Sequence, residues 1–115
     1  MRLKAEIWVK AYLRRCAAEG SAAFVVRRGD EDAGSIFIRV NRLDGTSSLF
    51  GPAAAGLATA EIERRWSLRT GQKPVPDHEI DAYVERETRF DPDIWVLEVE
   101  DRHGRHFLDE WLADD

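Results

Sequence analysis

Several things are scarce in this 115-residue chain, and each scarcity excludes something. There is one cysteine, Cys16, so no internal disulfide can form, and a reducing compartment is the natural home. Long apolar runs are missing too. The longest weakly polar stretch, residues 49–60, is interrupted by Gly51, Pro52 and Gly56 and cannot span a bilayer. The first ten residues, MRLKAEIWVK, carry Lys4, Glu6 and Lys10 where a signal peptide needs an apolar core. A cytoplasmic protein with no membrane partner is expected. A basic excess is also lacking: 17 Lys and Arg face 22 Asp and Glu, for a net charge of −5. Neutralising phosphates needs a basic surface, so nucleic acid and anionic membranes are not expected partners. Neither the Gly-x-Gly-x-x-Gly fingerprint nor a phosphate loop with its Lys-Ser/Thr occurs. GTSSLFG fails the G-x-S-x-G spacing of a nucleophile elbow. No cofactor is expected.

What is present argues for one α+β domain over residues 1–115. Hydrophobic residues make up 43% of the chain, with four Trp and five Phe. A chain of this length buries roughly two-thirds of its unfolded surface, enough for a core without staples. Lysine is rare, and Arg outnumbers it 14 to 3. The Arg fork suits carboxylate and phosphate, although a GC-rich genome explains the same bias more plainly.

The pattern along the chain predicts an antiparallel sheet of about five strands and two helices. EIWVKAYLRRCAAEG repeats Glu6, Lys10 and Arg14 at every fourth residue and fills the rest with apolar groups. It reads as a mostly buried helix with a narrow polar stripe, capped at Gly20. The Glu6–Lys10 pair adds about 0.3 kcal/mol. AAFVVRR and SIFIRVNR read as strands joined in a hairpin by the solvated loop GDEDAG. In the second run, Ile36, Ile38 and Val40 share one face, and Phe37, Arg39 and Asn41 the other. SSLF follows as a short strand after the turn LDGT. Residues 51–60 read as a loop, with a helical turn over 58–63. RRWSLRT alternates again, with Trp66 and Leu68 opposite Arg65, Ser67 and Arg69. KPVPD opens the second helix, with Pro76 near N1, acids in the first turn, and Ile80, Tyr83 and Val84 as its apolar face. Asp91-Pro92 stops it. DIWVLEVE is apolar on both faces, which predicts a central strand.

The stretch EDRHGRHFLD holds two of the three histidines, three residues apart. On a helix, His103 and His106 could share a metal ion with Asp109 or Glu110. Gly104 lies between them, however, and Asp101-Arg102-His103-Gly104 suits a type I turn with Gly104 left-handed. The expectation is a C-terminal hairpin with His106 beside Glu100 and His103 at the exposed tip. No metal site is assigned, and these two histidines remain its weak candidates. DEWLADD either docks as a short helix through Trp111 and Leu112 or frays.

Other candidates have plainer readings. His78 reads as a surface residue without a nucleophile to serve. The acids of the loop Gly29–Gly34 lack the twelve-residue length and terminal Glu of an EF-hand. Cys16 reads as a structural thiol. The best ligand-binding constellation is the outer sheet face with Arg39, Asn41, Arg65 and Arg69, beside Glu98 and Glu100. It reads either as an anion site or as a ladder of cross-strand ion pairs. Phe37, Ile94 and Val96 on the same face call for a cover, either a helix or a second subunit.

The stretches EIWVKAYLRRC, VVRRGDEDAGSIFIRVNRLDG, ERRW and FDPDIWVLEVEDRHGRHFLD resemble an uncharacterised family of small alphaproteobacterial proteins, a domain of unknown function. The resemblance spans nearly the whole chain. It implies a bacterial protein without assigned activity, cofactor or catalytic residues. The functional expectation is a non-enzymatic binding or protein-interaction module, as a homodimer or with another protein partner. The alternative is a small enzyme or ligand-binding protein that uses the arginine-lined face for an anionic small molecule.

Overall fold

DIWVLEVE decides the architecture. Ile94, Trp95, Val96, Leu97 and Val99 are all buried, although their side chains alternate between two faces. A strand with two apolar faces is stable only where both faces and both edges are covered. In the computed structural model, which describes residues 3–53 and 64–113, it lies inside a sheet between two helical layers. The elements are α1 (Ala5–Ala18), β1 (Ala22–Arg27), β2 (Ile36–Asn41), β3 (Thr46–Pro52), β4 (Trp66–Leu68), β5 (Val75–Pro76), α2 (Asp77–Phe90) and β6 (Trp95–Glu100). A 3-10 turn follows at Asp109–Trp111. The helical turn expected over 58–63 falls outside the described residues.

The fold is α+β, as expected, on a six-stranded sheet of order β1-β6-β2-β3-β4, with β5 also paired to β3. It is not wholly antiparallel. β6 runs parallel to β2 and antiparallel to β1, and the remaining pairs are antiparallel. Two local expectations therefore fail. β1 and β2 do not form a hairpin, because β6 inserts between them. Nor does β6 form a hairpin with residues 105–108, because β1 and β2 occupy both of its edges. Burial of each large apolar side chain stabilises by roughly 1.5–3 kcal/mol. A central place for β6 therefore outweighs the two local turns. The turn at 101–104 still forms: Gly104 has φ +75° and its N–H donates to the Asp101 carbonyl at 3.0 Å. The chain then leaves the sheet.

The loop between β1 and β2 is not a solvated hairpin loop either. A Cβ on Gly29 would meet the Asp93 carbonyl at 2.3 Å, and one on Gly34 would meet it at 2.6 Å. The loop lies flat on the start of β6, where the Trp95 indole donates to the Asp30 carbonyl at 2.7 Å.

Two clusters make the core. Ala5, Trp8, Val9, Tyr12 and Cys16 of α1 pack on Ile36, Ile38, Val40, Trp95, Leu97 and Val99, and the tail adds Leu108. Ile80, Tyr83 and Val84 of α2 pack on Phe37, Leu49, Ile94 and Val96. The helix is thus the cover that the outer sheet face called for. α1 is less buried than expected. Positions 5, 8, 9, 12 and 16 form one stripe at helical spacing, and Ile7 on the far side is 51% exposed. Its end is a Schellman motif: Gly20 at φ +83° donates to the Ala17 carbonyl, and Ser21 donates to that of Cys16. Pro76 sits at the N-cap of α2, one residue before N1. No helix among the described residues is long and apolar enough to cross a membrane.

Candidate functional site

The four polar residues assigned to the outer face do not converge. Arg39 lies under α2, whose Asp77 and Asp81, one helical turn apart, reach it at 3.1 and 2.7 Å. Glu98 approaches at 3.7 Å, and the Asn41 amide donates to the same carboxylate at 3.2 Å. Burial opposes the Arg39 charge, but the hydrogen bonds to Asp81 and Asp77 outweigh it and raise its pKa. With three acids around it, Arg39 has no charge to spare. Arg69 donates to the Tyr83 hydroxyl at 2.9 Å and to the Pro52 carbonyl, and lies over the Phe37 ring. Arg65 turns to the tail, donating to the Glu110 carbonyl at 2.6 Å. The ion-pair ladder is what this face builds around Arg39.

The histidines separate as well. His103 is exposed at the turn. His106 is not beside Glu100, because no returning strand exists to place it there. Its Nδ1 accepts the Leu108 N–H at 2.9 Å, and Phe107 adopts φ +58° between them. Neutral imidazole bound in this way carries its proton on Nε2. The ring tilts against Phe50 at 5.0 Å, and its carbonyl accepts the Tyr12 hydroxyl at 2.6 Å. Burial lowers the His106 pKa; Asp109, whose carboxylate is 4.0 Å from Nε2, opposes this. No group of three His, Cys, Asp or Glu side chains that could hold a metal ion occurs among the described residues. The acids of the 29–34 loop are engaged locally: Asp32 with Lys4, Glu31 with Arg28, and Asp30 with two backbone N–H groups of its own turn. His78 is exposed on α2. Cys16 is fully buried, and burial raises its thiol pKa, the condition of an inert thiol.

Arg42, half-buried, is placed differently from Arg39, Arg65 and Arg69. The alternation that puts Ile36, Ile38 and Val40 on the α1 side of the sheet continues to Arg42, just past the end of β2. The turn after it is tightly made. Leu43 has φ +64° and Gly45 φ +90°, and the Asp44 carboxylate accepts the Thr46 N–H and hydroxyl at 2.9 and 2.6 Å. Those two bonds hold Asp44 below the usual carboxylate range, with a smaller contribution from the Arg42 charge. Arg42 itself has no hydrogen bond or ion pair from its guanidinium among the described residues, and its Nε is buried without a partner. The guanidinium lies against Gly104, where a Cβ would stand 2.3 Å from Nη2. Only glycine permits both the left-handed backbone and this approach.

Arg42 and Gly104 border a cleft of about 340 Å³ between β3, β4 and the tail. Phe50, Trp66, Leu68, Leu112 and His106 supply most of the remaining wall, with Ser48 and Gln72 as polar groups. The tail is strapped across α1 on the same side. Arg15 pairs with Glu110 and stacks on Trp111, and Ala113 N–H donates to the Trp66 carbonyl at 2.9 Å. The tail thus docks through Trp111 and Leu112. The turn beneath the cleft is held by Asp101, 5% exposed, which accepts the Ser21 hydroxyl at 3.0 Å and the Arg105 N–H and guanidinium at 2.8–3.0 Å. Burial raises the Asp101 pKa, but the bonds from Arg105 and Ser21 outweigh it and hold the carboxyl far below its ordinary value.

Sequence reasoning passed over Arg42. The available signal was parity: a charge at the fourth position of an otherwise apolar 36, 38, 40 series.

No curated protein matches the chain. Solved structures are similar over nearly its full length, three of them as follows. A crystal structure of a DUF1491 family protein from Caulobacter crescentus CB15 has a TM-score of 0.78 at 41% identity, covering 99% of this chain and 100% of that one. The solution structure of protein Atu0922 from A. tumefaciens has a TM-score of 0.81 at 41% identity, covering 100% and 98%. An NMR structure of a DUF1491 family protein from C. crescentus CB15 has a TM-score of 0.78 at 43% identity, covering 99% of each chain. The family profile described as a protein of unknown function, DUF1491, matches residues 3–109, and the chain belongs to that family.

Proposed function

We propose that the protein is a non-enzymatic binding module and that the Arg42 cleft takes a small anionic ligand. The buried, unpartnered Nε of Arg42 carries this reading. Leaving a buried charged donor unsatisfied costs about 1–3 kcal/mol or more, and an arriving anion recovers that cost as binding energy. The volume, the apolar wall and the few polar groups fit the usual anatomy of a small-molecule site. The one imidazole in the wall has its basic nitrogen, Nδ1, bonded to Leu108 N–H, which favours a binding role over proton transfer at that atom. The test is a thermal-shift screen of nucleotides, phosphorylated metabolites and carboxylates, with hits followed by amide and indole NMR shifts. A ligand at one hundred times its dissociation constant adds about 2.7 kcal/mol. Shifts at Trp66 and Gly104 that vanish in Arg42→Gln are expected. A screen without hits sinks the reading.

A second reading is a self-associating module. Its original basis, Phe37, Ile94 and Val96, is gone, since α2 covers them. What favours it now is β1: an edge strand with Phe24, Val25 and Val26 exposed at 42, 39 and 56% and no described strand on its outer side. The bulge between Val25 and Arg27 works against it, because bulges blunt edges.

A further inference from the structure

We infer that the Arg42 cleft selects a monoanion with a compact apolar body, an aryl carboxylate, over a phosphate dianion. This rests on the binding role proposed for the cleft and narrows it by counting charge. Among the residues lining the cleft, Arg42 and His106 are the two that can be cationic. His106 accepts the Leu108 N–H on Nδ1 at 2.9 Å, a bond that exists only while that nitrogen is unprotonated. The wall therefore offers one positive charge. Asp44, which interacts with the Arg42 charge, and Asp109, 4.0 Å from the His106 Nε2, reduce the positive potential further.

One guanidinium matches one carboxylate in a two-bond fork. A phosphate monoester carries about −1.5 to −2 at neutral pH. Its second charge would enter a half-apolar cleft with no cation to meet it, which is costly. The rest of the wall specifies the body. Leu68 and Leu112 are the wall's accessible apolar groups, backed by the buried rings of Phe50 and Trp66. The cleft volume of about 340 Å³ lies within the range of small-molecule sites. That leaves room for a single aromatic ring with its head group, such as benzoate or phenylacetate. Ser48 and Gln72 remain for a ring substituent.

The experiment titrates the full chain at pH 7 with three probes that share a ring and differ in the head group: benzoate, phenyl phosphate and benzamide. NMR shifts locate the binding, and calorimetry measures it. Benzoate is expected at the cleft, at least tenfold tighter than either of the others, with Arg42→Gln abolishing the preference. Thermal melts establish that the variant folds. Phenyl phosphate binding the cleft as tightly as benzoate overturns the monoanion inference and leaves the binding role standing. Benzamide matching benzoate overturns it too, because charge would then not be what is read. Benzoate binding away from Trp66 and Gly104 also overturns it. Silence from all three, together with a screen without hits, overturns both.

Discussion

Arg42 combines a buried donor with the lack of a partner, a pairing that protein interiors rarely keep without use. If its role is ligand binding, folding should not need its charge. Arg42→Met should leave stability unchanged or raise it by up to about 1 kcal/mol, since an unsatisfied buried donor is removed. Urea unfolding checks this, and a loss above about 2 kcal/mol would mean that Arg42 holds the fold together. Gly104→Ala should cost about 1–2 kcal/mol for the left-handed backbone and also displace the guanidinium. Asp101 should behave in the opposite way to Arg42. Asp101→Ala leaves the buried Ser21 hydroxyl without its acceptor and removes the acceptor of the Arg105 N–H, and should cost about 1–3 kcal/mol. Because its folded pKa is depressed, its contribution is full above the ordinary carboxylate pKa of about 3.9. It is lost as pH falls through that value toward the folded one. Urea midpoints at pH 7 and pH 3 should differ less in Asp101→Ala than in the parent chain.

At the scale of elements, the tail depends on tertiary contacts. Residues 105–113 contain one 3-10 turn and no strand, yet Leu108 is fully buried against the α1 face of the sheet. Leu108→Ala should cost about 2–5 kcal/mol. The tail should also loosen in mild acid. Burial lowers the folded His106 pKa, so the unfolded chain takes up its proton first as pH falls below the ordinary value of about 6.5. Stability therefore falls with pH from there downward. Hydrogen exchange of the Leu108 amide, whose acceptor is that imidazole, should accelerate between pH 7 and 5 beyond the intrinsic rate change. An unchanged protection factor would contradict the geometry. Elements whose instructions are local were legible in the sequence: the α2 face of Ile80, Tyr83 and Val84, its stop at Asp91-Pro92, and the turn with Gly104 left-handed. Both hairpins misread the chain for one reason. Turn chemistry says how a chain can reverse, but not whether a distant strand competes for the edge. β6, about sixty residues beyond β2, won that competition on both sides.

At the scale of the whole molecule, α2 is the cover of the outer sheet face, the helix of the two alternatives, helix or second subunit, that the sequence left open. β1 remains as an exposed sheet edge among the described residues. If β1 pairs with a second copy, light scattering should show a dimer that Val25→Lys dissociates without unfolding; a monomer at every concentration removes this reading. The sequence by itself determined the α+β class, the central two-faced strand and the family, because composition, periodicity and the residues at turns and helix ends express them within a few positions. Only the tertiary structure decided the strand order, the parallel β2–β6 pair and which half-buried arginine has no hydrogen bond or ion pair from its guanidinium among the described residues. Charge compensation is a property of neighbours in space. Arg39 meets Asp77 and Asp81 through a helix that folds back over the sheet, whereas the Arg42 guanidinium lies against a glycine from a turn sixty residues away.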